Sequence, residues 1–120
     1  MNTTKALEKA KSCSDQFILA IHDTLNVLIG KWKLPIIGVL LYGKKRFKEL
    51  ERAIPGITPR MLSKELKELE LNGIVKRTVY DTKPVTVEYE LSNSGKSLRE
   101  VLEVMIHWGL QHRKINMTKK

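Results

Sequence analysis

The chain has 120 residues, 42% hydrophobic and 29% charged, which reads as one ordinary soluble globular domain. Its 22 Lys and Arg outnumber 13 Asp and Glu, for a formal net charge of +9, and that balance favours a polyanionic partner because cations displace counterions from phosphates. A polar start over residues 1–16 shows no signal peptide, the longest apolar run (35–42) is too short to span a bilayer, and the single cysteine, Cys13, excludes an intramolecular disulfide, so no membrane role and a cytoplasmic location are expected.

Residues 1–12 are polar and make a tail or a short helix. Ile18, Ile21, Leu25 and Leu28 recur at helical spacing and predict a first firm helix over 17–29, capped by Ser14 or Asp15, with those four side chains as its buried stripe. Gly30-Lys31-Trp32 interrupts it. A second helix over 32–42, apolar on most sides, tolerates Pro35 only in its first turn, where no helical bond needs the missing N–H; Gly43 ends it. Lys44-Lys45-Arg46 reads as a basic loop. A short helix over 47–54 turns Phe47, Leu50 and Ile54 inward, and Pro55-Gly56-Ile57 makes a tight turn. Thr58 is a good N-cap and Pro59 suits the first helical position, so the next helix runs to about Leu71 and stops at Asn72-Gly73.

The period then changes from helix to strand. Val75, Arg77 and Val79 alternate with Lys76 and Thr78. After the polar turn 81–84, Val85, Val87, Tyr89 and Leu91 alternate with Thr86, Glu88 and Glu90, which predicts a β-hairpin. Ser92 caps a last helix over 93–113 with Leu98, Val101, Leu102, Met105, Trp108 and Gly109 as its apolar stripe. Helix, turn, helix and hairpin without interruption make an α+β fold: a winged helix-turn-helix over 46–91 with a two-stranded β-hairpin wing, inside a single domain spanning 1–120.

The helix within residues 58–72 is the expected recognition helix for double-stranded DNA. At about 100° per residue, Leu62, Leu66 and Leu69 share one face. Arg60, Ser63, Lys64 and Lys67 share a roughly opposite face, toward the helix start, and Glu65, Glu68 and Glu70 fall between. Arg60 and Lys64 are the expected base readers, since Arg and Lys donate to guanine O6 and N7. Ser63 suits a base edge or a phosphate, Lys67 a phosphate, and Thr58 a phosphate as well as its cap. Lys44, Lys45 and Lys48, before and within the first helix of the pair, are expected on the DNA backbone. Lys83 at the hairpin tip, flanked by Lys76 and Arg77, is expected to reach a groove or a phosphate.

These segments carry a resemblance. Gly30-Lys31-Trp32, Arg46-Phe47-x-Glu49-Leu50 and Pro55-Gly56-Ile57-Thr58-x-x-Met61-Leu62 look like the HxlR family of winged-helix regulators. Leu69-Glu70-x-x-Gly73-Ile74-Val75-x-Arg77, Val87-Glu88-Tyr89-x-Leu91-Ser92-x-x-Gly95 and the late Trp108 continue the match, which covers about residues 13–112. The resemblance implies a homodimeric transcription factor of bacterial or archaeal type whose terminal helices (13–29 and 93–113) form the dimer interface. Such a dimer would place two recognition helices in successive major grooves of an inverted-repeat operator, with repression as the first expectation. Two positions depart from the family pattern: its usual Cys-Pro is Cys13-Ser14 here, and Leu71 stands where a polar residue is common.

Some members of that family sense oxidants or electrophiles at the place of Cys13. Its position before a helix start and near Lys9 and Lys11 favours thiolate, while the plainer alternative is an unreactive small residue at a dimer seam. A small electrophile or oxidant is therefore an expected partner. His22, His107 and His112 form no metal-ligand cluster, and the chain has neither a nucleophile–base pair nor a Gly-rich phosphate loop, so no metal, cofactor or catalysis is expected. Two other functions stay open: a protein-interaction winged helix that never touches DNA, and a small-ligand-responsive regulator with an apolar pocket at the dimer seam.

Overall fold

Caps, glycines and apolar spacing divide residues 14–118, those the structure (a computed structural model) describes, into five helices and three strands. In chain order these are α1 (Ser14–Leu28), α2 (Lys33–Leu40), β1 (Lys45–Arg46), α3 (Phe47–Ala53), α4 (Pro59–Leu71), β2 (Val75–Tyr80), β3 (Thr86–Leu91) and α5 (Asn93–Thr118). Cys13 lies outside the described residues.

The ends of α4 follow from the side chains at them. Thr58 Oγ1 accepts from the Met61 N–H at 3.2 Å, and Pro59 opens the helix. At the other end the Gly73 N–H reaches the Glu70 carbonyl (3.0 Å) and the Ile74 N–H reaches Leu69 (2.9 Å), with Gly73 left-handed at φ +75°. That pair of bonds is a Schellman stop, and it turns the chain directly into β2.

The expected winged helix-turn-helix is borne out, with one addition. Lys45 and Arg46, expected as loop, pair antiparallel with Tyr89 and Glu88, so the sheet has three strands in the order β1-β3-β2. Two residues are too few for a period-2 pattern to show. Arg46 is extended because it also serves as N-cap of α3, its N–H donating to Glu49 Oε1 at 2.8 Å. In the hairpin turn, where the Lys83–Pro84 peptide is cis, Thr82 Oγ1 donates to the Pro84 carbonyl at 2.7 Å.

Ile36 and Ile37 of α2, Leu50 of α3, and Leu62, Leu66 and Leu69 of α4 are fully buried, closed over by Ile74, Val75 and Leu91. Burying one such side chain is worth roughly 1.5–3 kcal/mol, against about 0.2–0.5 kcal/mol for a helix-surface ion pair. The leucine face therefore sets the rotation of α4, and with it which residues point outward.

The terminal helices differ from expectation. Of the α1 stripe only Leu28 is buried; Ile18, Ile21 and Leu25 are about half exposed. On α5, Leu102 is buried and Leu98 half-buried, whereas Val101, Met105 and Trp108 are exposed. The core is already closed by α2–α4 and the sheet, and both helices run past it. α5 also continues to Thr118 rather than stopping near Arg113. No helix among the described residues is long and apolar enough to cross a membrane.

Candidate nucleic-acid interface

With its leucines inward, α4 turns Arg60, Ser63, Lys64 and Lys67 outward, all exposed. Arg60, Lys64, Lys67 and Leu71 follow at i, i+4, i+7 and i+11 and so form one row along the helix. Leu71 is 78% exposed, an apolar end to a basic row. Thr58 is exposed at the N-terminus of the same helix, its hydroxyl engaged in the cap.

The acidic residues of α4 do not share that face equally. Lys33, which opens α2, is only 7% exposed. Its Nζ donates to Glu68 Oε2 at 2.6 Å, and Glu65 Oε2 lies 3.0 Å away, off the line of a well-formed hydrogen bond. Burial pulls the Lys33 ammonium down, but the hydrogen bond to Glu68 and the close carboxylate charges of Glu65 and Glu68 outweigh it and hold its pKa above the ordinary lysine value. The Glu68 carboxyl is held below its ordinary value, first by the hydrogen bond from Lys33 and then by its charge. Two of the three carboxylates of α4 thus share one cation from behind, which offsets half of their charge, and Glu70 remains exposed.

Sequence reasoning missed this clamp. Its signal was a lone lysine at the head of the apolar stretch Lys33–Leu40, facing a Glu pair at i,i+3 on the border of the leucine face.

The remaining candidates fall into four places. Lys45 and Arg77 both pair with Tyr89, one from each side of β3, so the sheet brings their side chains to one face. Lys76 pairs with Glu90 on the opposite face, and Lys44 Nζ lies 3.8 Å from the same carboxylate. Lys48 is exposed on α3 and lies 3.5 Å from Glu51. Lys83 stands exposed at the hairpin turn. Among the described residues, Arg60, Lys64, Lys67, Arg77 and Lys83 are in no ion pair. No group of three His, Cys, Asp or Glu among the described residues is placed to hold a metal.

Comparison with known proteins converges on this architecture. A family model described as HxlR-like helix-turn-helix matches residues 27–117. An uncharacterized HTH-type transcriptional regulator of Bacillus subtilis, YtcD, is 44% identical over 97 residues, covering 81% of this chain and 77% of its own. The solved structure of the redox regulator HypR in its reduced form is 41% identical, with a TM-score of 0.76 over 82% of this chain and 98% of that one. The reduced form of the transcriptional regulator YodB from B. subtilis is 41% identical, with a TM-score of 0.72 over 77% and 90%.

Proposed function

The chain belongs to the HxlR-like helix-turn-helix family of DNA-binding transcriptional regulators, and from that premise we propose that it is a homodimer that reads an inverted-repeat operator with α4 and represses transcription there. The observation that carries the reading is the charge division of α4: Arg60, Lys64 and Lys67 face solvent without ion-pair partners, while Glu65 and Glu68 are drawn back onto Lys33. Arg60 and Lys64, near the N-terminal end, are the base readers, with Ser63 beside them. Thr58, Lys67, Lys44, Lys45 and Lys48 hold phosphates, and Arg77 and Lys83 anchor the wing. The exposed apolar faces of α1 and α5 form the dimer seam. A protein-interaction role without DNA finds no support in an open cationic face of this kind.

The test is a fluorescence-anisotropy titration on DNA upstream of the protein's own and neighbouring genes. Specific, salt-sensitive binding that Arg60→Ala weakens about fivefold or more is expected. Binding that ignores both salt and Arg60 would refute the reading.

A second element concerns the input. HypR is named a redox regulator, and the structures of YodB include a quinone-bound form. With one cysteine in the chain, Cys13 is the residue through which an oxidant or electrophile would act here, by an intersubunit bridge, a mixed disulfide or alkylation. Diamide is expected to change DNA affinity in the wild type and not in Cys13→Ser; an unchanged wild type would end this part of the proposal.

A further inference from the structure

Two adjoining cavities lie between α5 and the body of the domain, and they share Leu41 and Arg99. The larger, about 790 Å³, separates α2 from α5 and is apolar in its walls, with Leu34, Val39, Leu102 and Ile106 among them. The smaller, about 500 Å³, carries Lys44, Lys96 and Arg99 against a single acid, Glu90. Arg99 stands at the junction, where one guanidinium nitrogen, Nη2, donates to the Leu41 carbonyl at 3.1 Å. That bond fixes the head of the side chain and leaves its other donors for a ligand. Lys96, one turn earlier on α5, is exposed and in no ion pair among the described residues. The volumes fall within the roughly 300–1,000 Å³ of small-molecule sites.

We propose that this two-part cleft binds a small amphipathic carboxylate, its apolar body between α2 and α5 and its acid group on Arg99 and Lys96. The charge pattern favours that occupant. Over both halves the cleft carries four cations (Lys44, Lys45, Lys96 and Arg99) against two acids (Glu90 and Glu103), and an apolar trough with a cationic end complements a molecule with one greasy and one anionic end. A second copy of the chain fits less well. The α5 face used here (Arg99, Glu103, Ile106) is turned about half of the way round the helix from Val101 and Trp108, the exposed apolar face proposed for the dimer.

The site also borders the DNA-binding elements. Lys44 and Lys45, proposed phosphate contacts, line its two halves, so an acid bound there competes with DNA for them. That consequence rests on the proposed DNA-binding function; the binding itself does not.

Decanoate serves as the probe, titrated calorimetrically into the full chain without DNA. Saturable binding with a dissociation constant below about 1 mM is expected, with decylammonium and acetate each at least tenfold weaker. Lys96→Gln/Arg99→Gln should weaken decanoate about tenfold or more by removing the charged donors. Ile106→Gln, at an exposed position, should weaken it by removing apolar wall. No saturation, equal affinity for decylammonium, or indifference to both variants overturns the proposal. So does a result in which decanoate fails to bind while Ile106→Gln breaks the dimer, since the groove then belongs to a second copy. In a parallel anisotropy titration, decanoate should lower the affinity for DNA. Binding without that effect removes the link to DNA and leaves the site.

Discussion

Removing the Lys33 ammonium leaves the Glu65 carboxylate without a counter-charge where water barely reaches it. Breaking one side of a fully buried pair costs about 3–5 kcal/mol; here Glu68 is partly hydrated, so Lys33→Met should cost about 2 kcal/mol in urea unfolding. The pH dependence has two limbs. The Lys33 pKa is raised in the folded state, so its contribution is complete below the ordinary lysine value and is lost as pH rises through the folded one. The Glu68 pKa is lowered, so its contribution is present above the ordinary carboxylate range and is lost as pH falls through the folded value. Stability should therefore be flat between roughly pH 5 and 10 and fall on either side, and Lys33→Met should blunt both falls; identical pH profiles for the two proteins would contradict the clamp. The same variant removes one positive charge from behind the recognition helix, leaving Glu65 and Glu68 without their shared cation, and should weaken DNA binding without touching a base. On the outer face the two roles separate by experiment. Arg60→Ala should cost about 1–3 kcal/mol and relax the preference at one base pair, whereas Lys67→Ala should weaken all sequences alike and reduce the salt slope by about one.

At the scale of elements, α4, β2 and α5 meet in a close junction. Ser92 Oγ accepts from the Gly95 N–H at 3.1 Å and donates to the Gly73 carbonyl at 2.6 Å, tying the start of α5 to the end of α4. A Cβ on Gly95 would press into the Ile74 carbonyl and crowd Leu91. Gly95→Ala should thus destabilise by about 1–3 kcal/mol, while Gly38→Ala, in α2 with open space around it, should be neutral or stabilise by up to about 1 kcal/mol. Chemical denaturation of both variants checks the contrast, and equal effects would mean that α5 is not seated as described. The same local chemistry explains what the sequence disclosed. α4 was legible because both of its ends are spelled out, Thr58-Pro59 at one and Asn72-Gly73 at the other. The far end of α5 was not: beyond Gly109 the apolar pattern stops, yet the helix persists on an i,i+4 ladder, Trp108 stacked on His112 (4.7 Å) and Asn116 bonded to the same imidazole. β1 and the Lys33 clamp were also hidden, because each depends on a partner more than 30 residues away.

At the scale of the molecule, the stripes of α1 and α5 are apolar in sequence and open in the single chain, and this mismatch asks for a second subunit. Exposed apolar patches larger than a few hundred Å² are rare on monomers and mark association surfaces. Ile21 and Leu25, one turn apart on α1, are 45% and 48% exposed and are not part of the core. Replacing both with Glu should therefore leave the domain folded, with an unchanged far-UV spectrum, yet shift it to monomer at micromolar concentration by light scattering. DNA binding should then divide. Each domain keeps its recognition helix and can still occupy a half-site, but the two half-sites are no longer held by one particle. Losing that linkage costs about a hundred- to ten-thousandfold in affinity for the inverted repeat, with little change on an isolated half-site. A variant that stays dimeric would move the seam away from α1, and a monomer that still bound the full operator tightly would remove the need for two-fold symmetry altogether.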